Sequence, residues 1–164
     1  MKAIKRVAVF CGSSPGADRA YLDAASGLAR APADRRIGLV YGGASVGLMG
    51  HIARAVLKHR GEVIGVIPDF LVEREVAFKD LPGLRVAGSM HERKATIADL
   101  SDGFIALPGS LGTIEEFFEV LTWAQLGRHE KPCGLLNVRR YFSPLLEFID
   151  HAVAQRFVRP KHAQ

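Results

Sequence analysis

The chain has 164 residues, a length typical of one domain with a substantial hydrophobic core. Hydrophobic residues make up 48% and charged residues 24%, the balance of a soluble globular protein rather than of a disordered chain. The net charge of +5 favours anionic ligands, but the lysines and arginines are scattered, which argues against a nucleic-acid-binding tail or strand.

The sequence shows no sign of export or membrane insertion. No apolar run approaches the roughly 20 residues that span a bilayer, and the apolar run 7–10 is too short for a signal peptide. The two cysteines, Cys11 and Cys133, are too few for a disulfide framework. The six histidines show no zinc-ligand spacing. We therefore expect a cytoplasmic protein that binds neither metal, membrane nor nucleic acid.

Short apolar runs alternate with helical patterns along the whole chain. Strands are predicted at residues 7–11, 38–41, 63–67, 84–86, 104–107 and 134–137. Helices are predicted at residues 18–30, 48–59, 91–100, 114–126 and 144–155. Pro32 is expected to end the first helix and leave 31–36 as a loop. The alternation predicts a single α/β domain over residues 1–164, with a doubly wound, mostly parallel, Rossmann-like sheet.

Three of the predicted strands end in turns of small residues, at 12–16, 42–50 and 108–113. Glycine lets a backbone approach an anion closely, and the helix that follows offers unpaired N–H groups. Because ligands of such sheets bind beyond the carboxyl ends of the strands, these turns predict a phosphate or nucleotide site. None matches a dinucleotide or Walker fingerprint, so neither NAD nor ATP is expected. The candidate contacts in the first two turns are Gly12, Ser13, Gly42 and Gly43.

Arg93 occupies an unusual position at the start of a predicted helix. Ser89 and Glu92 have the spacing of a capping box, which places Arg93 in the first turn. Arg93 shares a helix face with Ile97 and Leu100. Two interpretations are open: the arginine packs its stem and reaches water or a carboxylate, or it is held inward to meet an anionic substrate.

Glu116 follows the third glycine-rich turn. Thr113 and Glu116 have the spacing of a second capping box, so Glu116 is either a helix cap or a site residue. It falls at the border of an apolar stripe, whereas Glu115 falls nearly opposite, toward solvent. Of the two adjacent carboxylates, Glu116 is the one able to face a site beside the turn.

Four motifs in order resemble the Lonely Guy family, whose members were formerly mislabelled as lysine decarboxylases. The family's Pro-Gly-Gly-x-Gly-Thr-x-x-Glu motif is matched by Pro-Gly-Ser-Leu-Gly-Thr-Ile-Glu-Glu at 108–116. The other matches are Met-His-Glu-Arg-Lys at 90–94, Cys-Gly-Ser-Ser at 11–14 and Tyr-Gly-Gly at 41–43. The resemblance covers residues 7–160. Ser110 and Ala44 replace glycines of the family pattern.

The resemblance implies a homodimer that hydrolyses the N-glycosidic bond of an N6-modified adenosine 5'-monophosphate. Its products are a free cytokinin base and ribose 5-phosphate, and it needs neither metal nor organic cofactor. By position, Arg93 and Glu116 are the implied catalytic pair. The implied nucleotide contacts are Glu75, Met90, Lys94, Gly109, Ser110, Leu111, Gly112, Thr113 and Thr122.

Two other functions remain open from the sequence. A general nucleosidase acting on AMP or another nucleoside 5'-monophosphate would use the same turn and Glu116, and would differ only in its base pocket. A non-catalytic nucleotide or cofactor binder, similar to molybdenum-cofactor carriers, would need the glycine turns but not the pair of Arg93 and Glu116.

The fourth predicted helix is too apolar for one buried face. Its apolar positions are Phe117, Phe118, Val120, Leu121 and Trp123. We therefore expect part of this helix to pack against a second subunit.

Overall fold

The computed structural model describes residues 3–74 and 77–163. The strands are β1 (Arg6–Phe10), β2 (Gly38–Tyr41), β3 (Val63–Pro68), β4 (Leu84–Ala87), β5 (Gly103–Ala106) and β6 (Cys133–Leu135). The α-helices are α1 (Ala20–Asp34), α2 (Gly47–Lys58), α3 (Met90–Leu100), α4 (Leu111–Gln125) and α5 (Ser143–Ala154). Short 3-10 helices occur at Asp69–Leu71, Val138–Arg140 and Pro160–His162. All the predicted strands and helices are present, with bounds shifted by a few residues.

The six strands form one sheet in the order β4-β3-β2-β1-β5-β6, and every neighbouring pair is parallel. The predicted doubly wound α/β fold is confirmed. The chain winds outward from β1 to β4 on one side and then returns to place β5 on the other side of β1. The crevice beyond the carboxyl ends of β1 and β5 is therefore the topological switch point, where sheets of this class bind ligands.

Helices cover both faces of the sheet, which explains why the central strands β2 and β3 are apolar and buried along their whole length. On one face, β1 and β2 pack against α1 and α2 through residues such as Val9, Leu39, Tyr41, Leu48 and Ile52. On the other face, the strands pack against α3 and α4 through residues such as Phe10, Val40, Ile97, Phe104 and Phe117. Because successive strand residues alternate between faces, neighbours such as Val9 and Phe10 belong to different cores.

The prediction that Pro32 ends the first helix is wrong, because α1 continues to Asp34. A proline removes one backbone hydrogen bond, and only two helical residues follow it here. Upstream, Ala25 and Ala29 are fully buried in the core beside α2. That packing holds the helix in place, so the loss at its last turn is tolerated.

Helix α5 lies at the margin of the fold. None of its residues is buried. The helix is positioned by Phe142, which precedes it and is 1% exposed in the core. Leu146 and Phe148 on α5 are 40% and 63% exposed, so one apolar part of this helix faces outward. Within residues 3–74 and 77–163, no helix has the length and apolar character needed to cross a membrane.

Candidate active site

Two of the glycine-rich turns meet at the switch point. The N–H of Gly12, after β1, donates to the carbonyl oxygen of Pro108, after β5, at 3.2 Å. The carbonyl oxygen of Gly12 in turn accepts from the N–H groups of Leu48 and Met49 at 3.1 and 3.3 Å. Through Gly12, the loop after β1 is thus joined both to the loop after β5 and to the first turn of α2. The expected convergence of the turns at one sheet edge is observed.

Helix α4 begins directly at the third turn. Ser110 is its N-cap residue and Leu111 its first helical residue, so Thr113 lies inside the first turn. The prediction of a capping box from Thr113 to Glu116 is therefore wrong: the tight turn out of β5 starts the helix earlier than the capping pattern indicated. The Ser110 side chain makes no capping hydrogen bond and is exposed. The first N–H groups of α4 have no partner within the helix, as an anion site requires.

Two glycines of this turn have different roles. A β-carbon on Gly109 would collide with the hydroxyl of Thr113 and lie 2.8 Å from the backbone nitrogen of Gly12. Gly109 therefore allows the two turns to pack against each other. A β-carbon on Gly112 would meet nothing within 4 Å, so its backbone borders open space that a ligand can enter.

Arg93 and Glu116 form an ion pair across the cleft between α3 and α4. The guanidinium Nη1 lies 3.3 Å from the Glu116 carboxylate, and the two side chains are 9% and 14% exposed. Arg93 Nε also donates to the carbonyl oxygen of Val66 at 3.0 Å, and Nη2 donates to that of Gly42 at 3.4 Å. The arginine is thus held inward and paired with a carboxylate, as the first interpretation of its position allows, while a contact with an anionic substrate stays a prediction. Glu115 is more exposed, with 56% of its side chain accessible, and lies at the edge of the same cleft.

The start of α3 supports this arrangement. The Ser89 hydroxyl accepts from the N–H of Glu92, as the first capping box predicts, and the Glu92 carboxylate accepts from the N–H of Gly88. Met90 directly follows the N-cap residue Ser89, and the Met90 sulfur accepts a hydrogen bond from Arg93 Nη1 at 3.4 Å. The cap and the thioether together fix the direction in which the arginine leaves its helix.

Lys94 makes contacts that the sequence did not indicate. Its ammonium lies 2.7 Å from a Glu115 oxygen and 3.1 Å from a Glu119 oxygen, with 11% of the side chain exposed. Burial lowers the pKa of Lys94, but its hydrogen bonds and charge interactions with the two carboxylates raise that pKa above its ordinary value. Lys94 is therefore a charged link between α3 and α4.

The cleft has a volume of about 260 Å³. It brings together the predicted residues Ser13, Met90, Arg93, Lys94, Ser110, Gly112, Thr113 and Glu116. Cys11 and Met49 also line it. Met49 was missed by the sequence analysis, although its place within the second glycine-rich turn was a signal. Burial, and then the Glu116 charge, raise the pKa of the Cys11 thiol far above its ordinary value, so this sulfur is not a thiolate nucleophile.

Other predicted residues lie outside this cleft. Gly43 packs near Ile67 and Leu84, and a β-carbon on it would lie 3.1 and 3.3 Å from their side chains. Leu111 is 87% exposed, and the Thr122 hydroxyl donates to the carbonyl oxygen of Phe118 at 2.7 Å. Glu75 falls outside the described residues. Roles for these residues in nucleotide binding stay predictions.

A second cavity of about 280 Å³ lies next to the first. Gly12 and Gly109 line it, and Ser13 and Ser110 border both cavities. Its aromatic wall consists of Tyr21 and Tyr141, neither of which the sequence singled out. Among the described residues, no three or more His, Cys, Asp or Glu side chains are grouped to hold a metal ion.

The two residues that replace glycines of the family pattern, Ala44 and Ser110, fit into the fold. Ala44 is fully buried and forms an isolated antiparallel bridge with Ala77. Ser110 is exposed at the start of α4, where it borders both cavities. Neither substitution disturbs the convergence of the turns.

The structure resembles proteins that handle the molybdenum cofactor. The molybdenum cofactor binding protein from Rippkaea orientalis matches 92% of this chain and 87% of its own, with a TM-score of 0.70 and 26% identity. The Moco carrier protein from Chlamydomonas reinhardtii has a TM-score of 0.69 over 89% of this chain and 84% of its own. At 21% identity, the second match shows a shared fold alone.

Sequence comparison gives a closer relation. A family model described as "possible lysine decarboxylase" matches residues 49–164. A probable cytokinin riboside 5'-monophosphate phosphoribohydrolase of Oryza sativa subsp. japonica is 54% identical over 96% of this chain and 70% of its own length. The enzyme of that name from Rhodococcoides fascians is 53% identical over 95% of this chain and 79% of its own. An enzyme of the same name from Arabidopsis thaliana is 53% identical over 95% of this chain and 73% of its own length. These matches show that the chain belongs to the Lonely Guy family, whose curated members are cytokinin riboside 5'-monophosphate phosphoribohydrolases.

Proposed function

We propose that this protein is a single-domain nucleotide-binding hydrolase that cleaves the N-glycosidic bond of an N6-modified adenosine 5'-monophosphate. The products are the free base and ribose 5-phosphate. The observation that carries the proposal is the ion pair of the buried Arg93 and the partly buried Glu116, 3.3 Å apart, beside the amino terminus of α4. Relatives more than 50% identical carry the name of this activity.

The 5'-phosphate binds at the start of α4. The N–H groups of Leu111, Gly112 and Thr113 have no intrahelical partner, and the helix dipole adds positive potential at this end. The open space beside Gly112 admits the phosphate oxygens. A nucleoside without the phosphate therefore loses the main anchor that holds its ribose next to Glu116, and should react poorly.

Glu116 acts on the sugar. As the bond between C1' of the ribose and the base nitrogen breaks, its electron pair leaves with the base and the ribose gains oxocarbenium character. The Glu116 carboxylate stabilises this positive charge and takes a proton from the attacking water, whose oxygen bonds to C1'. The departing base gains a proton, so the overall reaction consumes one water.

Arg93 orients the carboxylate. Its guanidinium is fixed by the carbonyl oxygens of Val66 and Gly42, so it is already in place before substrate enters. A donor held by the backbone needs little reorganisation when charge develops in the transition state. Met49 and Met90 give the same cleft an apolar side suited to a base.

The test is release of free base from AMP and from isopentenyladenosine monophosphate, side by side, with Glu116→Ala as the control. Preferential cleavage of the modified nucleotide, lost in the variant, is the expected result. Cleavage of AMP alone would instead assign a general nucleoside 5'-monophosphate nucleosidase. Binding of both nucleotides without cleavage would instead assign a non-catalytic binding protein, as the structural relative from Rippkaea orientalis is named for binding a cofactor.

The proposed phosphate anchor has its own test. Rates are measured for isopentenyladenosine monophosphate and for the corresponding nucleoside at equal concentrations. We expect the nucleoside to be the much poorer substrate, and equal rates would contradict phosphate binding at α4.

The proposed enzyme is a cytoplasmic homodimer. Helix α4 carries Phe118, Leu121 and Trp123 only partly buried, and α5 presents Phe148 outward. A second copy covering these faces would remove an exposed apolar surface from water. The thiols of Cys11 and Cys133 are both free, as expected in a reducing compartment. Light scattering across micromolar concentrations should give the mass of a dimer, and a monomer throughout that range would refute this part.

A further inference from the structure

Tyr141 reaches the phosphate turn from the second cavity. Its hydroxyl donates a hydrogen bond to the carbonyl oxygen of Gly109. Its ring lines the cavity of about 280 Å³ that shares Ser13 and Ser110 with the cleft of Arg93 and Glu116. The tyrosine thus contacts the turn before α4 without lining the cleft itself.

The segment that delivers Tyr141 is strained. Arg139 and Arg140, just before it, have φ angles of 52° and 61°, in the left-handed region that costs energy for residues other than glycine. Neighbouring contacts hold this conformation. The Asn137 side chain accepts from the N–H of Phe142 at 2.8 Å, and Arg139 Nε lies 3.6 Å from an Asp18 oxygen. Strain maintained at two successive residues is a feature of segments under functional constraint.

The hydrogen bond fixes the peptide group that joins Gly109 to Ser110. In a trans peptide the C=O and N–H point in opposite directions, and the described residues contain no cis peptide. Because the Gly109 oxygen faces Tyr141, the Ser110 N–H faces away from Tyr141. If this peptide turned over, the Gly109 oxygen would face the bound anion and repel it.

We propose that Tyr141 is a positioning residue that holds the Gly109–Ser110 peptide in its anion-binding orientation. The Ser110 N–H then joins the N–H groups of Leu111 and Gly112 around the 5'-phosphate. The identity of the anion rests on the proposed function, whereas the orientation of the peptide does not. Tyr141 acts through Gly109 and touches neither the sugar nor the base.

The experiment compares Tyr141→Phe with Tyr21→Phe. Both variants lose one hydroxyl from the same cavity, and the two rings pack edge to face with centroids 5.9 Å apart. Binding of inorganic phosphate and of ribose 5-phosphate, neither of which is turned over, is measured by calorimetry. We expect Tyr141→Phe to weaken both about five- to tenfold, as loss of one hydrogen bond does, and Tyr21→Phe to leave both unchanged.

Kinetics separate positioning from general structural damage. Tyr141→Phe should raise KM for the nucleotide by a similar factor while leaving kcat and the slow turnover of the nucleoside unchanged. Unchanged anion binding in Tyr141→Phe would overturn the inference. An equal fall in the rates at which this variant cleaves the nucleotide and the nucleoside would overturn it too. If wild-type protein binds both anions in a Tyr141-dependent way but cleaves nothing, the inference stands and the proposed hydrolase function fails. Wild-type protein that binds neither anion would overturn both.

Discussion

Gly42 and Arg93 are so close that residue 42 has no room for a side chain. A β-carbon there would collide with Nη2 of Arg93 and lie 3.0 Å from the sulfur of Met49. The carbonyl oxygen of Gly42 also accepts a hydrogen bond from that Nη2. The absence of a side chain at Gly42 therefore makes space for the arginine that pairs with Glu116, whereas a contact of Gly42 with phosphate stays a prediction.

Gly42→Ala should therefore reduce activity through Arg93. The added methyl group must displace the guanidinium or Met49, and a misplacement of about 1 Å in such a group costs on the order of 100-fold in rate. We expect kcat/KM to fall about 10- to 100-fold, measured by release of free base. Gly27→Ala is the matched control, since a β-carbon at Gly27, inside α1, meets nothing within 4 Å. Similar activity in the two variants would contradict the role of Gly42.

Adjacent carboxylates on α4 allow a second matched comparison. Glu116→Gln keeps the shape of the side chain but removes its charge, and we expect turnover to fall by about 100-fold or more. Glu115→Gln changes a side chain at the edge of the same cleft that is 56% exposed and bound to Lys94, so its turnover should fall far less than that of Glu116→Gln. Both rates are measured after circular dichroism shows that each variant is folded. Retention of most turnover by Glu116→Gln would remove it from the mechanism.

His129 should make stability depend on pH. Its Nδ1 accepts from the N–H of Lys131 at 3.1 Å, and its Nε2 lies 2.9 Å from the carbonyl oxygen of Val120. Burial first, and the charge of Lys131, lower the pKa of His129 below its ordinary value of 6.5, although the bond to Val120 opposes the shift. The unfolded chain therefore takes up this proton at a higher pH than the folded chain does.

The sign follows from that difference. The contribution of His129 to stability is present above about pH 6.5 and is lost as pH falls from there through the lower folded pKa. Urea unfolding at several pH values between about 7.5 and 5 should show a steeper loss for the wild type than for His129→Gln. Parallel pH profiles of the two proteins would show that His129 is not the group responsible.

Helix α2 ends in a motif that usually contains glycine. The N–H of Arg60 bonds to the carbonyl oxygen of Leu57, and that of Gly61 bonds to the oxygen of Val56, the two bonds of a Schellman motif. Arg60 itself has a φ of 58°. Arg60→Gly should raise the free energy of unfolding by about 0.5–1 kcal/mol, because glycine adopts this conformation without a side-chain clash.

A glycine at the last helical position of α2 should have the opposite effect on the free energy of unfolding. Lys58→Gly replaces the last residue of α2, which has right-handed helical geometry, and should lower the free energy of unfolding by up to about 1 kcal/mol. The free energies of unfolding of both variants are measured by urea denaturation, which does not require an active enzyme. Destabilisation by Arg60→Gly would mean that the arginine side chain makes a favourable contact that outweighs the backbone strain.

Much of the fold could be predicted because its signals are local. Apolar runs and helical periodicity located each strand and helix to within a few residues. Their alternation required parallel pairing, which places the turns after β1 and β5 at one edge. The start of α4 was misplaced because capping patterns recur by chance inside helices, whereas the tight turn out of β5 determines where this helix begins.

The sequence by itself determined the order of elements, the glycine-rich turns and the two charged candidates, Arg93 and Glu116. Only the tertiary structure decided that these two charges form a pair, that Lys94 binds carboxylates of α4, and that Tyr141 contacts Gly109. The physical reason is distance along the chain. Periodicity and turn chemistry depend on neighbouring residues, but contacts between α3 and α4, or between the turns after β5 and β6, exist only once the sheet order has brought those elements together.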